Sequence, residues 1–126
     1  MTAAVDRGTR EDALAAARAA LDKQALDVVI LDVHATLVIT DLFVLATGTS
    51  DRQVRTVVDA IDEAMRARGR RPFRREGEED RRWVLLDYVD LVVHVFAQEE
   101  REFYDLERLW GDAPRIPVPD AATPSR

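Results

Sequence analysis

Cysteine is missing from all 126 residues. That excludes a disulfide framework and any zinc site built on thiolates. No apolar run approaches the roughly 20 residues needed to span a bilayer. The opening stretch MTAAVDRGTR has no apolar centre of the kind a secretory signal carries, so a cytoplasmic protein with no membrane contact is the expectation. Lysine is nearly absent too: among 18 basic residues only Lys23 is one, which reads as codon bias in the source organism and not as function. Histidine occurs only at His34 and His94, and a two-histidine metal site would need further ligands. No serine sits in a nucleophile elbow.

What remains is enough for one domain with a real core, since apolar residues make up 47% of the chain. Formal net charge is −6. An acidic chain is poorly suited to broad binding of nucleic acid, where affinity comes mostly from neutralising phosphates. It suits a basic protein partner. The charge is uneven: the segment from Arg66 to Arg82 carries eight arginines and four acids, so it is locally basic.

Residues 1–8 read as a frayed start and residues 112–126 as a Pro-containing flexible tail, leaving residues 9–111 as the single domain. A first helix is predicted from Thr9, with Asp12 closing a loose capping box and a thin stripe of Leu14, Ala17 and Leu21. Leu26 to Val33 is a strand, His34–Ala35–Thr36 a turn, and Val38 to Thr40 a short extension. Asp41 opens a second buried strand that stops at Gly48. Ser50 and Gln53 have capping-box spacing. Val54, Val57, Val58, Ile61 and Met65 follow as one apolar helix face, with Gly69 as the stop. Pro72 and Phe73 mark an edge strand within Arg70 to Glu76. Trp83–Asp87 and Leu91–Phe96 form an antiparallel pair. Trp83, Leu85 and Asp87 share one strand face because side chains repeat every two residues. The last helix is predicted over Gln98 to Trp110, with Phe103, Leu106, Leu109 and Trp110 as its buried stripe.

This order gives an α/β (α+β) fold: one mixed sheet of about five strands and three helices. Two good helices cannot cover both faces of such a sheet, so part of one face should be open, and exposed apolar patches mark partner sites.

Groups that could carry chemistry are few. TGTS at 47–50 stands before a helix N-terminus, where backbone N–H groups can hold an anion. It lacks the G-x-x-x-x-G-K-[ST] pattern and reads as an ordinary capped start. Asp27, Asp32, Asp87 and Asp90 lie at strand ends. They could hold Mg²⁺ for nucleotidyl transfer, but no D-x-D pair shares a strand face, and they read as solvated strand ends. A nucleotide-binding or nucleotidyltransferase-type enzyme is therefore the alternative function. His94 lies inside an apolar strand, where a hydrogen-bonded structural role is the ordinary one. Tyr104 falls off the helix stripe, so its hydroxyl is placed to reach a partner or the sheet.

Several segments in order resemble one family: D-x-x-x-x-DVVxLDV at 22–33, ITDLFVLATGTSDRQV at 39–54, EG at 76–77, WVLLD at 83–87, DLVVHVF at 90–96 and R-x-F-Y-x-L-E-x-L-W at 101–110. Together they are similar to the ribosomal silencing factor (RsfS, Iojap-related, DUF143) family. The resemblance implies a nucleotidyltransferase-like fold without that superfamily's catalytic carboxylates. It implies a ribosome-binding repressor of translation under nutrient limitation, not an enzyme, with no cofactor and no small-molecule substrate. The implied partner is the fourteenth protein of the large ribosomal subunit (uL14), whose occupation hinders joining of the small subunit. The basic stretch Arg70–Arg75 leaves contact with neighbouring rRNA or plain solvation open, and the open sheet face leaves a homodimer open. By motif position the contact residues are Glu76, Trp83, Leu85, Asp87, Asp90, His94 and Tyr104, with Trp83 as anchor. One departure stands out. The family usually has Gly where this chain has Val89, and Gly tolerates positive φ while Val does not, so the hairpin turn is expected to use another geometry.

Overall fold

The strongest periodic signal forms the best-built helix. Val54, Val57, Val58, Ile61 and Met65 are all buried on one face of Asp51–Ala67. Ser50 caps it as its spacing predicts, its Oγ accepting from the N–H of Gln53 at 3.1 Å. The Gln53 side chain does not return to Ser50; its Oε1 accepts from the N–H and hydroxyl of Thr49 at 2.7 and 2.9 Å.

The computed structural model describes residues 5–37, 39–105, 108 and 110–119. The elements run α1 (Arg7–Asp22), β1 (Leu26–Asp32), β2 (Leu42–Gly48), α2 (Asp51–Ala67), β3 (Arg74–Glu76), β4 (Trp83–Asp87), β5 (Leu91–Ala97), α3 (Gln98–Tyr104) and β6 (Arg115–Ile116). They build one six-stranded sheet in the order β3-β4-β5-β2-β1-β6. Only β2 and β5 pair in parallel; the other neighbours are antiparallel. The sixth strand comes from the tail expected to be irregular, where Ile116 pairs with Ile30 and is buried. A two-residue strand has too little alternation to announce itself in a proline-rich stretch. Ile39 and Thr40 form no strand extension, and Val38 lies outside the described residues.

Helix α1 starts earlier than predicted. Asp6, not Thr9, is the cap, accepting from the N–H groups of Gly8 and Thr9 at 2.9 and 3.4 Å. Residues 5–8 are thus part of the fold, while 1–4 lie outside the described residues. The buried face is Thr9, Asp12, Ala13, Ala16, Ala17 and Ala20. The expected stripe is displaced because alanine, not leucine, faces inward. Small side chains let α1 lie close against both α2 and the sheet, and Leu14 and Leu21 flank the core. Asp12 closes no capping box; it is ion-paired to Arg68 and Arg70.

Both long helices pack on the same sheet face, over Ile30, Val44, Ala46, Val84, Leu86, Val93 and Val95. The opposite face carries a second, smaller core of Leu31, Val33, Phe43, Leu45 and Phe96. Helix α3 packs there on β5 and β2. It is shorter than predicted, ending at Asp105 in the left-handed conformation (φ 43°, ψ 58°). Phe103 is therefore not in a buried stripe but 81% exposed. Leu106 and Leu109 lie outside the described residues, and Trp110 packs edge-on to Phe43 at 5.9 Å.

The turn between β4 and β5 keeps a geometry that suits glycine. Val89 has φ +78°, and the Asp90 N–H donates to the Tyr88 carbonyl across it at 3.0 Å. The expectation that valine would force another geometry fails because the surroundings over-determine the turn. Asp87 Oδ1 accepts from the Val89 N–H at 2.8 Å. Arg70 donates to the Tyr88 carbonyl at 3.1 Å and to Asp90 Oδ1 at 2.6 Å, and the Thr9 hydroxyl donates to Asp90 Oδ2 at 2.8 Å. The Arg70 guanidinium also lies over the Tyr88 ring, 5.8 Å from its centre.

A β-branched residue at positive φ stores on the order of 1–3 kcal/mol of strain, and glycine returns about 0.5–1 kcal/mol of that as backbone entropy. Val89→Gly should accordingly raise stability by about 1 kcal/mol in urea unfolding, with an unchanged m-value. The reverse holds at Gly77, whose φ is +83° and where an added Cβ would lie 2.0 Å from the Trp83 carbonyl oxygen. Gly77→Ala should lower stability by about 2 kcal/mol or more in the same measurement.

Candidate interaction surface

The alternation of β4 sends Val84 and Leu86 into the main core and leaves Trp83, Leu85 and Asp87 on the face that α1 and α2 do not cover. Trp83 is half-buried. Its indole stacks on Phe96 at 5.0 Å and meets the Tyr104 ring at 4.7 Å. Tyr104 in turn meets Phe103 edge-on at 5.0 Å. The result is a row of aromatic rings that starts over the second core and ends in solvent. Leu85 beside it is half-exposed.

Helix α3 brings Tyr104 and Phe103 to this row, and Arg101 pins the helix. Its buried guanidinium donates to Thr47 Oγ1 at 2.7 Å and to the Asp27 carbonyl at 2.8 Å, and lies 5.9 Å from the centre of the Phe96 ring. The Asp27 carbonyl is available because β1 carries a bulge there: Asp27 has φ +50°, and the register with β2 shifts between Leu26 and Val29. The extra residue is left out of the ladder and its carbonyl is re-aimed.

His94 supports the row from beneath. It is 5% exposed, and its Nδ1 accepts from the Trp83 Nε1–H at 3.1 Å. An indole N–H can only donate, so Nδ1 carries no proton and the neutral ring holds its proton on Nε2. Burial, with a smaller contribution from the Arg101 charge, lowers its pKa to about 4. The Nε2 has no hydrogen-bond partner among the described residues, and an unpaired buried donor costs about 1–3 kcal/mol.

Of the residues expected to contact a partner, Glu76, Trp83, Leu85 and Tyr104 are brought to one surface. Glu76 pairs with Leu85 across the β3–β4 ladder. Asp87 is at the far end of that face, with Arg74 ion-paired to it at 3.5 Å and to Glu76 at 3.2 Å. Asp90, in the β4–β5 turn, is bonded to Arg70 and to Thr9 of α1, and the buried His94 is bonded to Trp83. Phe103 is the residue that sequence reasoning misplaced. The only signal for it was the neighbouring Asp105, which can adopt the left-handed cap that cuts the helix short.

Other candidate chemistry finds different employment. Gly48 in the TGTS turn is needed for packing, since a Cβ there would lie 2.8 Å from both Val54 Cγ2 and its backbone nitrogen. Asp32 is paired with His34. Among the described residues no group of three His, Cys, Asp or Glu side chains could hold a metal ion, and no helix is long and apolar enough to cross a membrane. The arginines Arg70, Arg74 and Arg75 are each ion-paired within the chain.

Comparison with known proteins agrees with this architecture. Residues 6–126 match the family model described as ribosomal silencing factor during starvation. A ribosomal silencing factor of Bacillus subtilis is 42% identical over 99 residues, covering 79% of this chain and 84% of the relative. A crystal structure from Chromobacterium violaceum superposes with a TM-score of 0.79 at 30% identity, over 93% of this chain and 96% of the other. One from Bacillus halodurans gives 0.75 at 36% identity, over 86% and 99%. This chain belongs to the ribosomal silencing factor family.

Proposed function

We propose that the aromatic sheet face docks on the large ribosomal subunit, on its fourteenth protein, and that the bound protein hinders joining of the small subunit. The observation that carries this reading is the row Trp83–Tyr104–Phe103, half-open on a sheet face that the two long helices leave uncovered. Aromatic side chains in partly desolvated positions dominate interface energies, and polar groups at the rim set orientation and association rate. Here the rim holds Glu76 and Asp87 with Arg74 between them. That leaves the face modestly acidic and fitted to a basic protein.

The proposed action is occupation of a surface and requires no catalytic group. Blocking needs only that the docked body overlap the space of the second subunit. The same reading favours protein over rRNA as the main contact. Arg70, Arg74 and Arg75 already neutralise acids of this chain, so they offer little net charge to phosphates.

Two substitutions test the docking. Trp83→Ala should weaken co-sedimentation with large subunits about 30-fold, the equivalent of ~2 kcal/mol at an interface anchor, and should abolish inhibition in a subunit-joining assay. Phe103→Ala should weaken binding several-fold while leaving thermal stability within about 0.5 kcal/mol, because an exposed ring contributes little to folding. Unchanged sedimentation of both folded variants would remove the aromatic row from the interface.

A further inference from the structure

A buried histidine with one nitrogen unsatisfied asks for a reason. A phenylalanine or leucine at position 94 would fill the same space between Phe43, Phe96 and Trp83 with no stranded N–H. His94 makes one hydrogen bond among those described, from the Trp83 indole at 3.1 Å. The imidazole also meets Phe43 at 4.7 Å and lies nearly parallel to Phe96, with centres 6.1 Å apart. Its own position is thus fixed by packing on two sides, while the indole it holds is half-buried, packed against Phe96 and Tyr104, with His94 accepting from its N–H.

We infer that His94 is the positioning residue of the docking surface: its Nδ1 holds the Trp83 indole in one orientation, stacked on Phe96 and open to a partner. This rests on the docking reading, and goes beyond it in naming the group that presets the anchor. Fixing a side chain before association removes an ordering loss from the binding step. Histidine suits the task because an unprotonated ring nitrogen is a good acceptor in an apolar setting. The environment keeps it unprotonated. From β4 it faces Trp83 and Leu85 and from β2 Phe43 and Leu45; the charged group acting on it is the Arg101 guanidinium of α3. Burial and that positive charge both oppose a second proton, so Nδ1 stays an acceptor through the neutral range.

Nuclear magnetic resonance on the ¹⁵N-labelled native protein tests this directly. The Trp83 indole resonance is assigned by its loss in Trp83→Phe. A coupling across the hydrogen bond between Trp83 Nε1 and His94 Nδ1 should be present from pH 8 down to pH 5 and vanish as the ring takes a proton near pH 4. In His94→Phe the indole resonance should move to the position of an unbonded indole, and affinity for large subunits should fall about 3- to 10-fold, the loss expected for one newly mobile aromatic side chain. In His94→Asn, which puts an amide oxygen near the place of Nδ1, both should recover in part. Absence of the coupling in the native protein overturns the inference even if the variants do not fold. So does a folded His94→Phe that binds as tightly as native protein while Trp83→Ala does not. If Trp83→Ala itself binds normally, the docking reading fails, and the resonance measurements still decide whether His94 orients the indole.

Discussion

The second sheet face is organised by one buried cation. Arg101 reaches from α3 to the hydroxyl of Thr47 and to the carbonyl that the β1 bulge turns outward. A guanidinium is tolerated under cover only when its donors are used and its charge is spread. Among the described residues the bulge, the threonine near the end of β2 and the Phe96 ring contribute to that. Their joint effect is to fix a helix of seven residues, too short to be stable alone, at one place on the sheet. Where α3 sits decides where Tyr104 and Phe103 sit. The aromatic surface is therefore a consequence of polar bonds made on its hidden side.

The two faces divide the labour. On one, α1 and α2 bury a continuous aliphatic core, and an alanine-lined α1 makes close approach possible. On the other, a smaller core of Leu31, Val33 and Leu45 with Phe43 and Phe96 is covered only in part. The first face supplies the cohesion that lets the second remain unfinished. Strain is concentrated at the junction of β4 and β5, where Val89 occupies a glycine conformation. The clamp of Arg70, Thr9 and Asp87 holds it there, so the register of Trp83 against Phe96 and of Leu85 against His94 is kept.

Much of this was legible in the sequence, for physical reasons that also explain the gaps. Helix α2 has five large apolar residues at helical spacing, and its burial follows from that alone. The strand pair from Trp83 to Phe96 shows its alternation, and the open sheet face follows from the shortage of amphipathic helices. Alanine is ambiguous by comparison: it belongs on a surface as readily as in a tight helix contact, so spacing picks out Leu14, Ala17 and Leu21 where the fold buries Ala13, Ala16, Ala17 and Ala20. Phe103 falls on the apolar spacing of a core stripe, and that spacing says nothing of a left-handed cap two residues on. His94 and Asp90 are placed in a contact surface by motif position alone. Their hydrogen-bond partners, Trp83 in one case and Arg70 with Thr9 in the other, are distant enough in sequence that only the fold reveals them.

The ends of the sheet carry a consequence of their own. One border strand has three residues, two arginines and a glutamate; the other has two, set between Pro114 and Pro117. Neither offers a run of free backbone donors and acceptors on which a foreign strand could grow. Short borders, charged on one side and flanked by proline on the other, disfavour growth of the sheet by addition of a foreign strand. Recognition through the sheet would then use the side chains on its open face and not its backbone edges.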